Sequence, residues 1–170
     1  MDLLELQTLA DEILNDGRVA VQASDLAQIR FNESTPSGYD SCAHHLARFY
    51  NIVEQMGLRI AKAFENNIED EKKWHTELLN RLSIRIHGVR PPLFTEDVVQ
   101  PLHELRAFRH VFVHAYDLKL DPDKLTLLLK YSRLIAGKLP GMLTDFIRSV
   151  ATEQGLELPQ IQNEGFDPKT

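Results

Sequence analysis

Apolar residues recur at every third or fourth position through most of this 170-residue chain, and that period constrains the fold more than any other feature. The cleanest case is the series Leu46, Phe49, Val53, Met56, Ile60 and Phe64. With 3.6 residues per turn, these side chains form one stripe that must be buried against a neighbour. Alternation of period two is nowhere sustained enough to demand a sheet. The expected fold class is therefore all-α, an antiparallel helical bundle of about five helices with no sheet.

Turn chemistry divides the pattern. A first helix is expected over about Asp2 to Gln28, carrying Leu3, Leu6, Leu9, Ile13 and Leu14, with Gly17 as a point of weakness. Residues 32–38 contain Asn, Ser, Thr, Pro and Gly and read as a loop, followed by a second helix over about 41–66. A third is expected over about 70–87, with Trp74, Leu78, Leu82 and Ile86 on one face, ended by Gly88 and the paired Pro91 and Pro92. Thr95 is placed to cap a fourth helix, and Glu96 and Asp97 suit its positive first turn; Val98, Leu102, Leu105, Phe108 and Phe112 form its stripe. Asp121 and Pro122 open a fifth as N-cap and first helical residue. Leu125, Leu128, Leu129 and Ile135 follow, and Pro140 is expected to kink or divide the helix before Leu143, Phe146, Ile147 and Val150 resume the pattern. Residues 1–152 then form one domain, with 153–170 a loose tail.

Composition narrows the class. With 43% hydrophobic and 26% charged residues the chain has no reason to be disordered, and no apolar run approaches the length of a membrane span. The N-terminal stretch lacks the basic region and cleavage site of a signal peptide, and a single cysteine, Cys42, cannot form an internal disulfide. A reducing cytoplasm is the expected setting, with no membrane association. A net charge of -6 argues against indiscriminate nucleic-acid binding. Between Arg81 and Lys119, however, six basic residues face four acidic ones, and His87, His103, His110 and His114 lie there too. An acidic ligand is expected to meet this segment.

Within it, the sequence RHVFVHAYD (109–117) places an arginine, two histidines, a tyrosine and an aspartate at the end of the fourth helix. At about 100° per residue, Arg106, Arg109 and Tyr116 fall near one line and His110 and His114 near another. Arg109 and His114 differ by roughly 140° and by about 7.5 Å along the axis, so a regular helix does not aim both at one point. Distortion at the helix end, or a symmetry-related copy of the same helix, would be needed to unite them.

Such a set suits RNA transesterification. A histidine can take the proton of a ribose 2'-hydroxyl near neutral pH, and an arginine can bind the phosphate and stabilise its developing charge, with no metal or other cofactor required. Two plainer readings compete. These residues can be ordinary surface groups with local hydrogen bonds, or His110 and His114, four apart, can share a metal ion with His44, His45 or His75 supplying further ligands. The sequence has no HExxH, phosphate-binding loop, dinucleotide fingerprint or nucleophile-elbow serine.

The order Arg109-x-x-x-x-His114-x-Tyr116 resembles the signature of HEPN domains, specifically the branch of HepT toxins. The stretches FYNIVEQMGLRIAKAF (49–64), WHTELLNRL (74–82), GVRPPLF (88–94) and ELRAFRHVFVHAYDLKLDPDKL (104–125) are similar to that branch as well, in the same order. The resemblance implies a bundle that forms a homodimer with both motifs in one cleft. It also implies a metal-independent endoribonuclease serving as the toxin of a toxin-antitoxin pair, whose antitoxin is a minimal nucleotidyltransferase of the MNT type. Carried over by position, Arg109 is the phosphate contact and His114 the general base. Tyr116 is the residue that the antitoxin would AMPylate; Arg106, from its line on the helix, is expected to join Arg109 in binding substrate. His110 departs from the Asn or Asp common at its position, and stands either as a second proton donor or as a hydrogen-bonding substitute. The alternative is a noncatalytic bundle that binds a nucleotidyltransferase.

Overall fold

In the computed structural model, residues 1–65, 71–115 and 118–157 are described, those of 71–76 by backbone alone. They form five helices: α1 (Leu3–Phe31), α2 (Pro36–Phe64), α3 (Glu71–Leu82), α4 (Glu96–His114) and α5 (Pro122–Gln154). Among the described residues the sole β-type pairing is an isolated bridge between Ile86 and Arg90. The protein is an all-α bundle, and no helix among the described residues is long and apolar enough to cross a membrane.

α1 begins with a reciprocal cap. The Glu5 amide donates to Asp2 Oδ1 and the Asp2 amide to Glu5 Oε2, each at 2.8 Å, which satisfies two amides that the first turn leaves open. Gly17 does not interrupt the helix; it is buried, and continuous packing on both sides outweighs its weak helix propensity. The loop expected over 32–38 is shorter than its composition suggested. Thr35 accepts a hydrogen bond from the Gly38 amide at 3.0 Å and Pro36 takes the first helical turn, so α2 starts at Pro36. Gly38 permits this tight reversal, because a Cβ there would sit 2.7 Å from the Arg30 carbonyl oxygen.

α1 and α2 thus form an antiparallel hairpin, and α5 lies against α1. α4 packs on α2 and α5, while the short α3 touches α2 and α4. The core they enclose includes Leu6, Ile13, Leu46, Phe49, Met56, Ile60, Leu102, Leu139 and Phe146, all essentially without solvent contact. Each such side chain contributes roughly 1.5–3 kcal/mol relative to exposure. Across the α1–α5 contact, Ser24 and Ser132 satisfy each other in the core at 3.1 Å, Ser24 donating.

α3 stops at Leu82, five residues before the expected end. The Leu82 carbonyl receives the amides of Leu93 and Phe94 at 2.8 and 3.1 Å, and the Arg81 carbonyl receives the Arg90 guanidinium at 3.0 Å. The Leu82 acceptor is thus used by the returning loop, and the Arg81 carbonyl is shared between Arg90 and the Ile84 amide of a closing turn, so the helix does not continue. Arg90 is fully buried and donates to Glu65 Oε1 from Nε and Nη2 at 2.9 and 2.8 Å, tying this loop to the end of α2. α5 opens at Asp121–Pro122 as expected, and it passes through Pro140 undivided, ending at the left-handed Gly155. The tail expected over 153–170 falls from residue 158 onward outside the described residues.

Candidate active-site helix

α4 is held at its start by charge. Glu96 and Asp97 occupy the first turn, where the helix dipole favours anions, and Asp97 accepts a hydrogen bond from Lys138 of α5. That bond holds the Asp97 carboxyl below the usual carboxylate range. Thr95 is the N-cap residue by backbone conformation, but its side chain makes no capping bond; the hydroxyl faces Met142 Sδ at 3.7 Å. Val98, Pro101, Leu102 and Leu105 form the buried face of α4, with Phe108 and Phe112 stacked partly buried beyond them, their centroids 5.6 Å apart.

Arg109 prolongs this inward face. It follows Leu105 by four residues and Leu102 by seven, which places it within about 40° of their line. It is half-buried, and its Nε is enclosed by protein without a hydrogen-bond partner. His114 lies on the other side, exposed. The helix stays regular through His114, and Ala115 then turns to extended backbone. Helix-end distortion therefore does not bring the two together, and one copy of α4 presents arginine and histidine in different directions. Tyr116 lies outside the described residues.

The histidines are specific about their protons. His114 Nδ1 lies 2.7 Å from the His110 carbonyl oxygen. A carbonyl only accepts, so in neutral His114 Nδ1 carries the hydrogen and Nε2 keeps its lone pair. The His110 ring is exposed beside that of His114, centroids 4.6 Å apart and tilted by 36°. One turn or more earlier, His103 Nε2 pairs with Asn80 Oδ1 at 2.9 Å. Burial, and then the charge of Arg106, push His103 below the ordinary histidine value.

A buried polar pair lies on α2 that spacing did not single out. Tyr50 is fully buried and donates its hydroxyl proton to Glu54 Oε1 at 3.3 Å, while Glu54 is only 5% exposed. Burial, then the Glu54 charge, push the Tyr50 phenol well above its ordinary range, against the opposing pull of Arg106 and Arg109. The available signal was a glutamate four residues after a tyrosine, beside Val53 in the apolar stripe.

Three of the six basic residues of segment 81–119 pair with carboxylates of this chain, and only Arg90 among them is buried. Arg90 and Arg81 both pair with Glu65, and Arg85 pairs with Glu153. No group of three or more metal-ligating side chains occurs among the described residues, so His110 and His114 have no third partner there. Cys42 is buried, and burial raises its thiol to about 12, which makes it a poor nucleophile.

The model of a family described as HepT-like protein matches residues 41–150, from the second turn of α2 through most of α5. The chain belongs to the HepT-like family. The matched span of this HepT-like chain contains all of α3 and α4 and the residues Tyr50, Glu54, Arg106, Arg109, His110 and His114. No curated protein and no solved structure matches it.

Proposed function

We propose that this HepT-like protein is the toxin of a toxin-antitoxin pair, a metal-independent endoribonuclease acting in the cytoplasm. The observation that carries the reading is the orientation of His114, whose Nδ1–H is committed to the His110 carbonyl and whose Nε2 is left as an exposed proton acceptor on the helix that holds Arg109. In the proposed reaction His114 Nε2 takes the proton of a ribose 2'-hydroxyl. The 2'-oxygen then forms a bond to the adjacent phosphorus as the bond to the 5'-oxygen breaks. The products are a 2',3'-cyclic phosphate and a 5'-hydroxyl end, with the leaving oxygen protonated by water or by His110.

Arg109 and Arg106 would hold the phosphate and stabilise its added charge. Since Arg109 and His114 diverge on one helix, the reading calls for a homodimer in which the arginine of one copy works with the histidine of the other. Val111 and Val113, 47% and 57% exposed beside the histidines, give such a contact apolar area to cover. A nucleotidyltransferase antitoxin that transfers AMP to Tyr116 would add an anion seven residues along the chain from Arg109 and so disfavour RNA binding.

The internal pairing of Arg81, Arg85 and Arg90 favours a second reading, a noncatalytic module that binds a nucleotidyltransferase, because it leaves little basic surface for RNA. Incubation of purified protein with total RNA and tRNA in EDTA, with Arg109→Ala and His114→Ala alongside, separates the two. Cleavage to cyclic-phosphate ends, lost by several orders of magnitude in both variants, supports the ribonuclease. Absence of cleavage by protein whose Tyr116 is unmodified by mass supports the binding module.

A further inference from the structure

We propose that the open cleft between α1 and α5 binds a small aliphatic α-amino acid as its zwitterion, with the ligand carboxylate on Arg133 and the ligand ammonium on Asp25 and the Ala136 carbonyl oxygen. The cleft is about 240 Å³ and is lined by Val21 and Asp25 of α1 and by Arg133, Ala136, Gly137 and Pro140 of α5. Ser24 borders it too, but its hydroxyl is committed to Ser132. The volume is below the roughly 300 Å³ at which sites for drug-sized ligands begin, so a free amino acid suits it and a nucleotide does not. Val21 and Asp25 precede the span that the family model matches, so one wall of the cleft is a helix outside that span.

Two opposite charges and one freed acceptor meet here. Arg133 Nη1 lies 3.6 Å from Asp25 Oδ1, too far for a hydrogen bond, and both side chains are about half exposed. An exposed pair held this loosely contributes little, so each partner can turn to a ligand at small cost. The acceptor belongs to Ala136. Pro140 has no amide hydrogen, so the donor that a residue four places on normally gives a helical carbonyl is missing where both residues line the cleft. Gly137 keeps the space open, since nothing lies within 4 Å of the position a Cβ would take. A ligand carboxylate matches the planar fork of Arg133, and an ammonium brings three donors for Asp25 and the Ala136 carbonyl. Val21 and the ring of Pro140 supply apolar surface for a short side chain.

The test is a titration of nitrogen-15-labelled protein with L-leucine into the millimolar range, read by amide shifts. Saturable shifts are expected among residues 21–25 and 133–141. Two probes keep the leucine side chain and one charge each: 3-methylbutylamine carries only the ammonium and 4-methylpentanoate only the carboxylate. Each should bind at least about tenfold more weakly than leucine. Asp25→Asn and Arg133→Gln should each weaken leucine by about tenfold or more, and Pro140→Ala, which restores the missing amide, should weaken it as well. Gly137→Leu fills the cleft and leaves its charges alone, and should abolish binding. Absence of saturable shifts overturns the proposal, as do shifts that survive Gly137→Leu or both charge variants. Equal binding of leucine and either single-charge probe also overturns it, leaving a site for a cation or an anion alone. If a charge variant loses its helical circular dichroism, Gly137→Leu and the two probes decide by the same titration.

Discussion

Arg109 and His114 stand five residues apart, and almost everything chemical in this protein depends on what each of them faces. Their divergence was legible from the helical period alone, and the structure keeps it, with one half-buried and the other exposed. The direction of the His114 proton was not legible, because it depends on a 2.7 Å approach to a carbonyl at the helix end. It yields a direct check: long-range nitrogen-15 NMR on the neutral protein should find His114 with a protonated Nδ1 and a bare Nε2. The reverse tautomer would remove the proposed base. Cys42, by contrast, is kept inert by burial, which raises its thiol to about 12. It should resist alkylation by iodoacetamide at pH 8.5 in the native protein and react readily once unfolded in guanidinium. Tyr50 and Glu54 escaped notice because a tyrosine and a glutamate at helical spacing are common on half-exposed faces, and only packing against α4 reveals them as core.

At the scale of elements, the helices were legible because long apolar stripes dominate their sequences, whereas their ends depended on contacts from afar. α3 ends where the Arg90 loop claims its carbonyls, and no local propensity encodes that. Arg90→Ala should therefore cost about 3–5 kcal/mol in urea unfolding, the range for removing one member of a buried ion pair. Two glycines should respond in opposite directions. At Gly57 of α2 a Cβ would meet Leu82 Cδ1 at 2.6 Å, and Leu82 is itself fully buried. Overpacking there should outweigh the helical gain, so Gly57→Ala is expected to destabilise by about 1 kcal/mol. At the exposed Gly137 of α5 nothing lies within 4 Å, and alanine should stabilise by about 0.5–1 kcal/mol. Chemical unfolding of the two variants beside the parent checks both signs.

For the whole molecule, the pH response follows from two histidines that the fold prefers to keep neutral. Burial comes first for both His45 and His103, and neighbouring cationic groups add to it; each titrates below its ordinary value. The unfolded chain then binds more protons than the folded one below about pH 6.5. Stability from this source is complete above that value and declines on acidification. The urea midpoint should fall between pH 7.5 and pH 5.5, and the fall should be smaller in a His45→Gln, His103→Gln double variant. Equal slopes in the two proteins would show that these histidines are not responsible.

The divergence of Arg109 and His114 on one rigid rod has a kinetic meaning as well. On the proposed two-copy site, each chain carries half of the machinery, and below the dimerisation constant the concentration of working enzyme rises with the square of chain concentration. A cell leaking a few copies would then suffer far less than in proportion. Expression past a threshold would switch injury on steeply, a dose response built into the pitch of an α-helix.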